Sequence, residues 1–150
     1  SGRAVVAELR MQLEALGLIL GEAGAEMEPN RLSPLALAYI GDAVYEMLVR
    51  TVVVADGNAP VNRLHQKARD MVNAKAQAAF YSRVAKALRE DEAAVFRRGR
   101  NAKSHTVPKN ADLMDYRYAT GVEAMFGYWY LSGQMARAVE IFRFGMESKS

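Results

Sequence analysis

The 150-residue chain contains no cysteine. That excludes disulfides, thiolate metal sites and a cysteine nucleophile, and it fits a reducing compartment, the cytoplasm or, for a plant source, the plastid stroma. Histidine is almost as scarce, with His65 and His105 the only two, which argues against a histidine-rich zinc site. Any metal would be a hard cation held by oxygen. No apolar run is long enough to span a bilayer, so no membrane partner is expected. The apolar stretch from Ala4 to Leu20 is broken by Glu8, Arg10 and Glu14 and reads as an amphipathic helix rather than a signal peptide. Strand signals are also missing.

What is present favours helix. Hydrophobic residues make up 51% of the chain, enough for one domain with a real core. Alanine, leucine, methionine, glutamate and arginine dominate. A loop is expected from Gly21 to Asn30. Ser33-Pro34 supplies a capping hydroxyl and a proline at the first helical position. The helix it opens runs to about Ala55 and is apolar on nearly every side, which marks a central, buried helix. Further helices are expected from Val61 to about Asn73, Lys75 to Arg89, Asp91 to about Arg98, Asp112 to Leu131 and Met135 to Glu147. Arg97 to Asn110 reads as a loop, punctuated by Gly99 and Pro108. The fold class is all-α, a single-domain helical bundle.

Two acids interrupt this pattern. Asp42 lies within LALAYIGDAVYEMLV and Glu123 within YATGVEAMFGYWYL. A carboxylate in such a segment is costly to bury without compensation. By helical spacing, the face of Asp42 carries Ala38, Tyr39, Tyr45 and Glu46. The face of Glu123 carries Ala119, Thr120, Phe126 and Gly127. Both faces hold small residues that let helices approach. The two acids can therefore share one pocket and bind magnesium, which typically uses one or two protein carboxylates plus phosphate oxygens. The plainer alternative is that each acid pairs with an arginine or a helix end. Glu46 is expected to pair with Arg50, its i+4 neighbour.

The net charge of +3 and pI of about 9.3 are mild, but the basic residues are not evenly spread. RRGRNAKSHTVPKN holds Arg97, Arg98, Arg100, Lys103 and Lys109 with no acid among them. It is a candidate phosphate-contacting surface, or simply a solvated charge run. Arg63, His65, Lys67, Arg69 and Lys75 read as the solvent side of an amphipathic helix, with His65 structural. Phe126, Tyr128, Trp129 and Tyr130 read as core or subunit interface.

LALAYIGDAVYEMLVR resembles the signature helix of ribonuclease III. RLHQKARDMVNAKAQAAF and RGRNAKSHTVPKN followed by YRYATGVEAMFGYWYL resemble the short branch of that family, Mini-ribonuclease III. The resemblance covers Leu32 to the last helix. It divides the chain into an N-terminal extension, residues 1–31, and a catalytic domain, residues 32–150. It implies a ribonuclease III endonuclease domain working as a homodimer. It also implies cleavage of double-stranded RNA with Mg2+ (or Mn2+ in its place), leaving 5′-phosphate and 3′-hydroxyl ends, in maturation of large-subunit ribosomal RNA. Asp42 and Glu123 match the family's catalytic, metal-binding acids. Tyr39 matches an aromatic residue that packs into the partner subunit. Full-length members carry two further acids where this chain has Ala38 and Thr120, and the short branch commonly lacks them. Water or the Thr120 hydroxyl is then expected to fill a metal position. The rival expectations are a non-cleaving dimer that holds structured RNA in ribosome assembly, and a helical adaptor that binds only protein.

Overall fold

The computed structural model describes residues 2–4, 7, 28–103, 107, 109 and 112–148. Of the expected helix from Ala4 to Leu20 only residues 4 and 7 are described, both helical, and most of the expected loop before Asn30 lies outside the described residues. So do His105 and several residues of the basic segment after Lys103. Among the described residues there is no strand.

After a 3-10 turn at Pro29–Arg31 come α1 (Pro34–Ala55), α2 (Val61–Val72), α3 (Ala74–Val84), a 3-10 turn at Ala85–Ala87, α4 (Glu90–Asn101), α5 (Leu113–Leu131) and α6 (Met135–Glu147). Local chemistry sets most of these boundaries. The Ser33 hydroxyl accepts from Ala36 N–H at 3.1 Å and Pro34 opens α1. Asn73, in an extended conformation, ends α2 and caps α3, its Oδ1 accepting from Ala76 N–H at 2.8 Å. Asp112 caps α5, accepting from Asp115 N–H.

Two boundaries differ from expectation. The helix expected to reach Arg89 ends at Val84, because Arg89 is extended and caps α4. The Glu92 carboxylate accepts from the Arg89 backbone N–H at 2.7 Å, the reach-back half of a capping box. The helix expected to stop near Arg98 continues to Asn101. Gly99 is not punctuation there but a packing residue. A Cβ on it would come within 2.9 Å of the Ala124 Cβ and the Gly121 Cα on α5.

The buried centre of the bundle is α5 rather than α1. Ala119 to Trp129 is buried with the sole exception of Glu123, and α5 packs against α1, α3, α4 and α6. On α1 a single face is buried, through Leu37, Ala38, Gly41, Val44, Tyr45, Val49 and Val53. The other face leaves Leu35, Tyr39, Met47 and Val54 exposed, Tyr39 to 85%. The apolar residues of α1 therefore divide between the core and an open stripe with the four- and seven-residue spacing of one helix face.

The contact between α1 and α5 is backbone to backbone. A Cβ on Gly41 would overlap the Glu123 carbonyl, and one on Gly127 would overlap the Leu37 carbonyl. Residue 41 thus meets 123 while 37 meets 127, so the two helices run antiparallel.

Candidate active site

Asp42 follows Gly41, at the edge where the buried face of α1 turns outward, and its residue is exposed. Expectation placed it in the core. The helical register puts it one position past the contact line, so it borders α5 without being enclosed. Glu123 is half-buried on α5, its own carbonyl against Gly41. The two carboxyl groups are neighbours close enough for Asp42 to act on Glu123.

Burial, then the Asp42 carboxyl by hydrogen bonding and by charge, push the Glu123 pKa up to about 8, and the Gln77 side-chain amide opposes them by hydrogen bonding. No cation is among the groups acting on it. A carboxyl held half-buried beside a second acid ionises at a cost. Such a pair is completed by a proton or by a cation.

Beneath the pair lies an aromatic knot. The Tyr45 and Phe126 ring centroids are 5.1 Å apart, Tyr45 and Phe80 5.7 Å, and Phe80 and Phe126 6.0 Å. Each ring stands three positions after a polar residue of the site: Asp42 before Tyr45, Gln77 before Phe80, Glu123 before Phe126. Residues three apart share a helix face, so packing of the rings fixes the faces that carry the polar groups. The Tyr45 hydroxyl is buried with no protein partner. Burial raises its pKa well above the usual range, the Arg83 charge opposes this and the Glu123 charge adds to it.

At the two positions where the resemblance leads one to expect further acids, Ala38 is buried, and Thr120 is buried with its hydroxyl donating to the Tyr116 carbonyl at 3.0 Å. Among the described residues no three acids or histidines converge on one point. Glu46 accepts from Arg50 at 2.9 and 3.2 Å, a surface pair as expected. Phe126 and Trp129 are core residues. His65, Arg63, Lys67, Arg69 and Lys75 face solvent.

The basic residues differ from expectation in their setting. Arg97, Arg98 and Arg100 belong to the last turns of α4, not to a loop. Arg98 donates to the Leu32 carbonyl at 3.2 Å. Arg100 bonds Asn101 and lies 5.9 Å from the centre of the Phe96 ring. Lys103 and Lys109 are exposed. This cationic edge closes α4, which packs on α5.

Two polar residues had no role assigned from the sequence. Gln77 carried a usable signal, for it falls in register with buried Phe80 and Val84 on α3. Glu92 carried none, because acids in the first turn of a helix are ordinary. It is 0% exposed and accepts four hydrogen bonds: from Arg89 N–H at 2.7 Å, Trp129 Nε1 at 2.7 Å, and Arg137 Nε and Nη2 at 2.8 Å each.

The model of the Ribonuclease III domain family matches residues 35–134, which include both acids. A Mini-ribonuclease 3 from Thermoanaerobacter sp. (strain X514) is 49% identical over 77% of this chain and 82% of its own length. One from Clostridium tetani is 46% identical over 83% of each. A crystal structure of a protein from Fusobacterium nucleatum aligns with a TM-score of 0.71 and 28% identity, covering 80% of this chain and 96% of that one. With the helical architecture and these matches together, the chain belongs to the ribonuclease III family of endoribonucleases, in its Mini-ribonuclease 3 branch.

Proposed function

We propose that the chain is a Mg2+-dependent endoribonuclease that cuts double-stranded RNA in the cytoplasm, in the maturation of large-subunit ribosomal RNA. Residues 32–150 form the catalytic domain and residues 1–31 an extension of it. The observation that carries the reading is the meeting of Asp42 and Glu123, with like charge and no cationic residue acting on Glu123.

The residues fit a hard metal ion. Their donors are carboxylate oxygens, and Glu123 holds its negative charge poorly unless a positive one arrives. Asp42 and Glu123 would hold the ion, and waters and RNA phosphate oxygens would complete its shell. Such an ion, when bound, lowers the pKa of a water and stabilises charge on a phosphoryl oxygen. The helices do the positioning, since both carboxylates project from packed backbone rather than from loops. Hydrolysis joins a water oxygen to phosphorus and releases the 3′-oxygen, which gives 5′-phosphate and 3′-hydroxyl ends.

Arg97, Arg98, Arg100, Lys103 and Lys109 supply the phosphate contacts. A-form RNA hides its base edges in a narrow major groove, so shape and phosphate dominate recognition. The open stripe of α1, with Tyr39 at its most exposed point, serves as the subunit contact of a homodimer. A two-fold pair presents one site to each strand. Light scattering should give twice the chain mass.

The decisive experiment is a duplex-RNA gel with Mg2+ and then with chelator. Asp42→Asn and Glu123→Gln should each stay folded and bind RNA but lose cleavage by at least about a hundredfold. Cleavage by either at the wild-type rate rules out the assignment. On the same material, neutralising Arg98, Arg100 and Lys103 should weaken binding and flatten its salt dependence. The second reading, an RNA-holding dimer that does not cut, draws on buried Ala38 and back-bonded Thr120. It predicts duplex binding without cleavage in every lane.

A further inference from the structure

Gln77 is a neutral amide on the most buried face of α3, 3% exposed, among residues that are otherwise apolar. Its Nε2 donates to the Val72 carbonyl at 2.8 Å. That bond fixes the orientation of the amide, since an oxygen in the same place would face another oxygen. The second Nε2 hydrogen is left for a neighbour, and Glu123 feels the amide as a hydrogen-bonding group that favours its charged form. The Oε1 is buried with no protein partner, and an unpaired buried acceptor costs stability. A methionine of similar volume would leave no such atom. A glutamine here is therefore poorly explained by stability alone and better explained by what its N–H groups hold.

We infer that Gln77 is a positioning residue of the acid pair: braced against the Val72 carbonyl, its amide holds the Glu123 carboxylate in the orientation that receives the metal. The inference rests on the metal-dependent reading above. Two points of geometry support it. The brace is the last residue of α2, so the amide ties the α2–α3 junction to α5. Phe80, one turn along from Gln77, is locked into the knot that also contains Phe126, one turn along from Glu123.

The test uses the full chain with Gln77→Met, which removes the donor at similar volume, and Gln77→Asn, whose shorter amide cannot span from Val72 to Glu123. Wild type and Asp42→Asn serve as references. Melting temperature is recorded across a Mg2+ and a Mn2+ titration, and duplex cleavage across the same range. Both Gln77 variants should remain folded in chelator. Their metal-induced rise in melting temperature should need about 10–100-fold more metal than wild type. Cleavage should fall at low metal and recover at high metal, with KM for RNA unchanged.

If one variant fails to fold, the other decides. A folded variant with the wild-type metal midpoint overturns the role of Gln77 and leaves the acid pair standing. A wild-type chain with neither metal response nor cleavage overturns the underlying reading and this one together. A cleavage defect that added metal does not relieve also overturns it, because it would place Gln77 outside metal capture.

Discussion

Glu92 and Glu123 are the same side chain on neighbouring helices of one core, and the fold treats them in opposite ways. Glu92 is the more deeply buried, and burial alone would raise its pKa. Hydrogen bonds from Arg137, the Arg89 backbone and Trp129, with the Arg137 charge, overcome that and lower it. Glu123 is less buried, yet burial and Asp42 raise its pKa to about 8 and only Gln77 opposes them. Depth does not decide which of the two acids is kept charged. What distinguishes them is whether the protein itself completes the partner set. Around Glu92 it supplies a bidentate arginine, an indole and a backbone amide. Beside Glu123 it supplies another acid.

The comparison can be broken from its stronger side first. Glu92→Ala takes from Arg137 the fully buried one of its two acid partners, leaving the exposed Glu140, and removing one member of a buried pair costs about 3–5 kcal/mol. Urea unfolding should show that loss, and a cost under about 1 kcal/mol would make the network dispensable. The opposite expectation holds for Glu123→Gln in chelator. Glu123 has a folded pKa above its unfolded value, so the folded chain binds the extra proton between about pH 4.5 and 8, and stability falls as pH rises through that window. The variant should therefore exceed wild type at pH 9 by about 1–3 kcal/mol, with the gap closing near pH 4. A gap independent of pH would refute the charge explanation. Glu92, with its pKa lowered, contributes stability that is present above its unfolded pKa and lost as pH falls through its folded pKa. The smallest effect belongs to Tyr128→Phe, at the rim of the Glu92 cluster, where the hydroxyl donates to Asp91 at 2.8 Å. Its loss should cost about 0.5–1.5 kcal/mol, and thermal melts would measure it.

Helix class, most boundaries and the packing together of the two helices that carry Asp42 and Glu123 were legible in the sequence, because caps and small residues act locally. Ser33-Pro34, Asp112 and the apolar run around Glu123 needed no tertiary knowledge. The failures share one cause. Gly99 looks like a helix stop until α5 is seen to press on it. The helix through Asp42 looks wholly buried because its open apolar stripe and its core face have the same composition. Glu92 is unreadable because Arg137, its main partner, lies 45 residues away. Gln77 could be suspected from its register but not understood without Val72 and Glu123 around it.

The glycine contacts between α1 and α5 bear on how this site can vary. Asp42 follows Gly41, and Gly41 lies on the Glu123 carbonyl itself. The gap between the acids is inherited from two main chains in touch, not chosen by rotamers. Any larger residue at 41 must drive α5 outward and carry Glu123 with it, whatever happens to the acids. The spacing of the pair is thus written in side chains that are absent, and a family drifting in sequence can alter much around the acids while these glycines have almost no freedom to change.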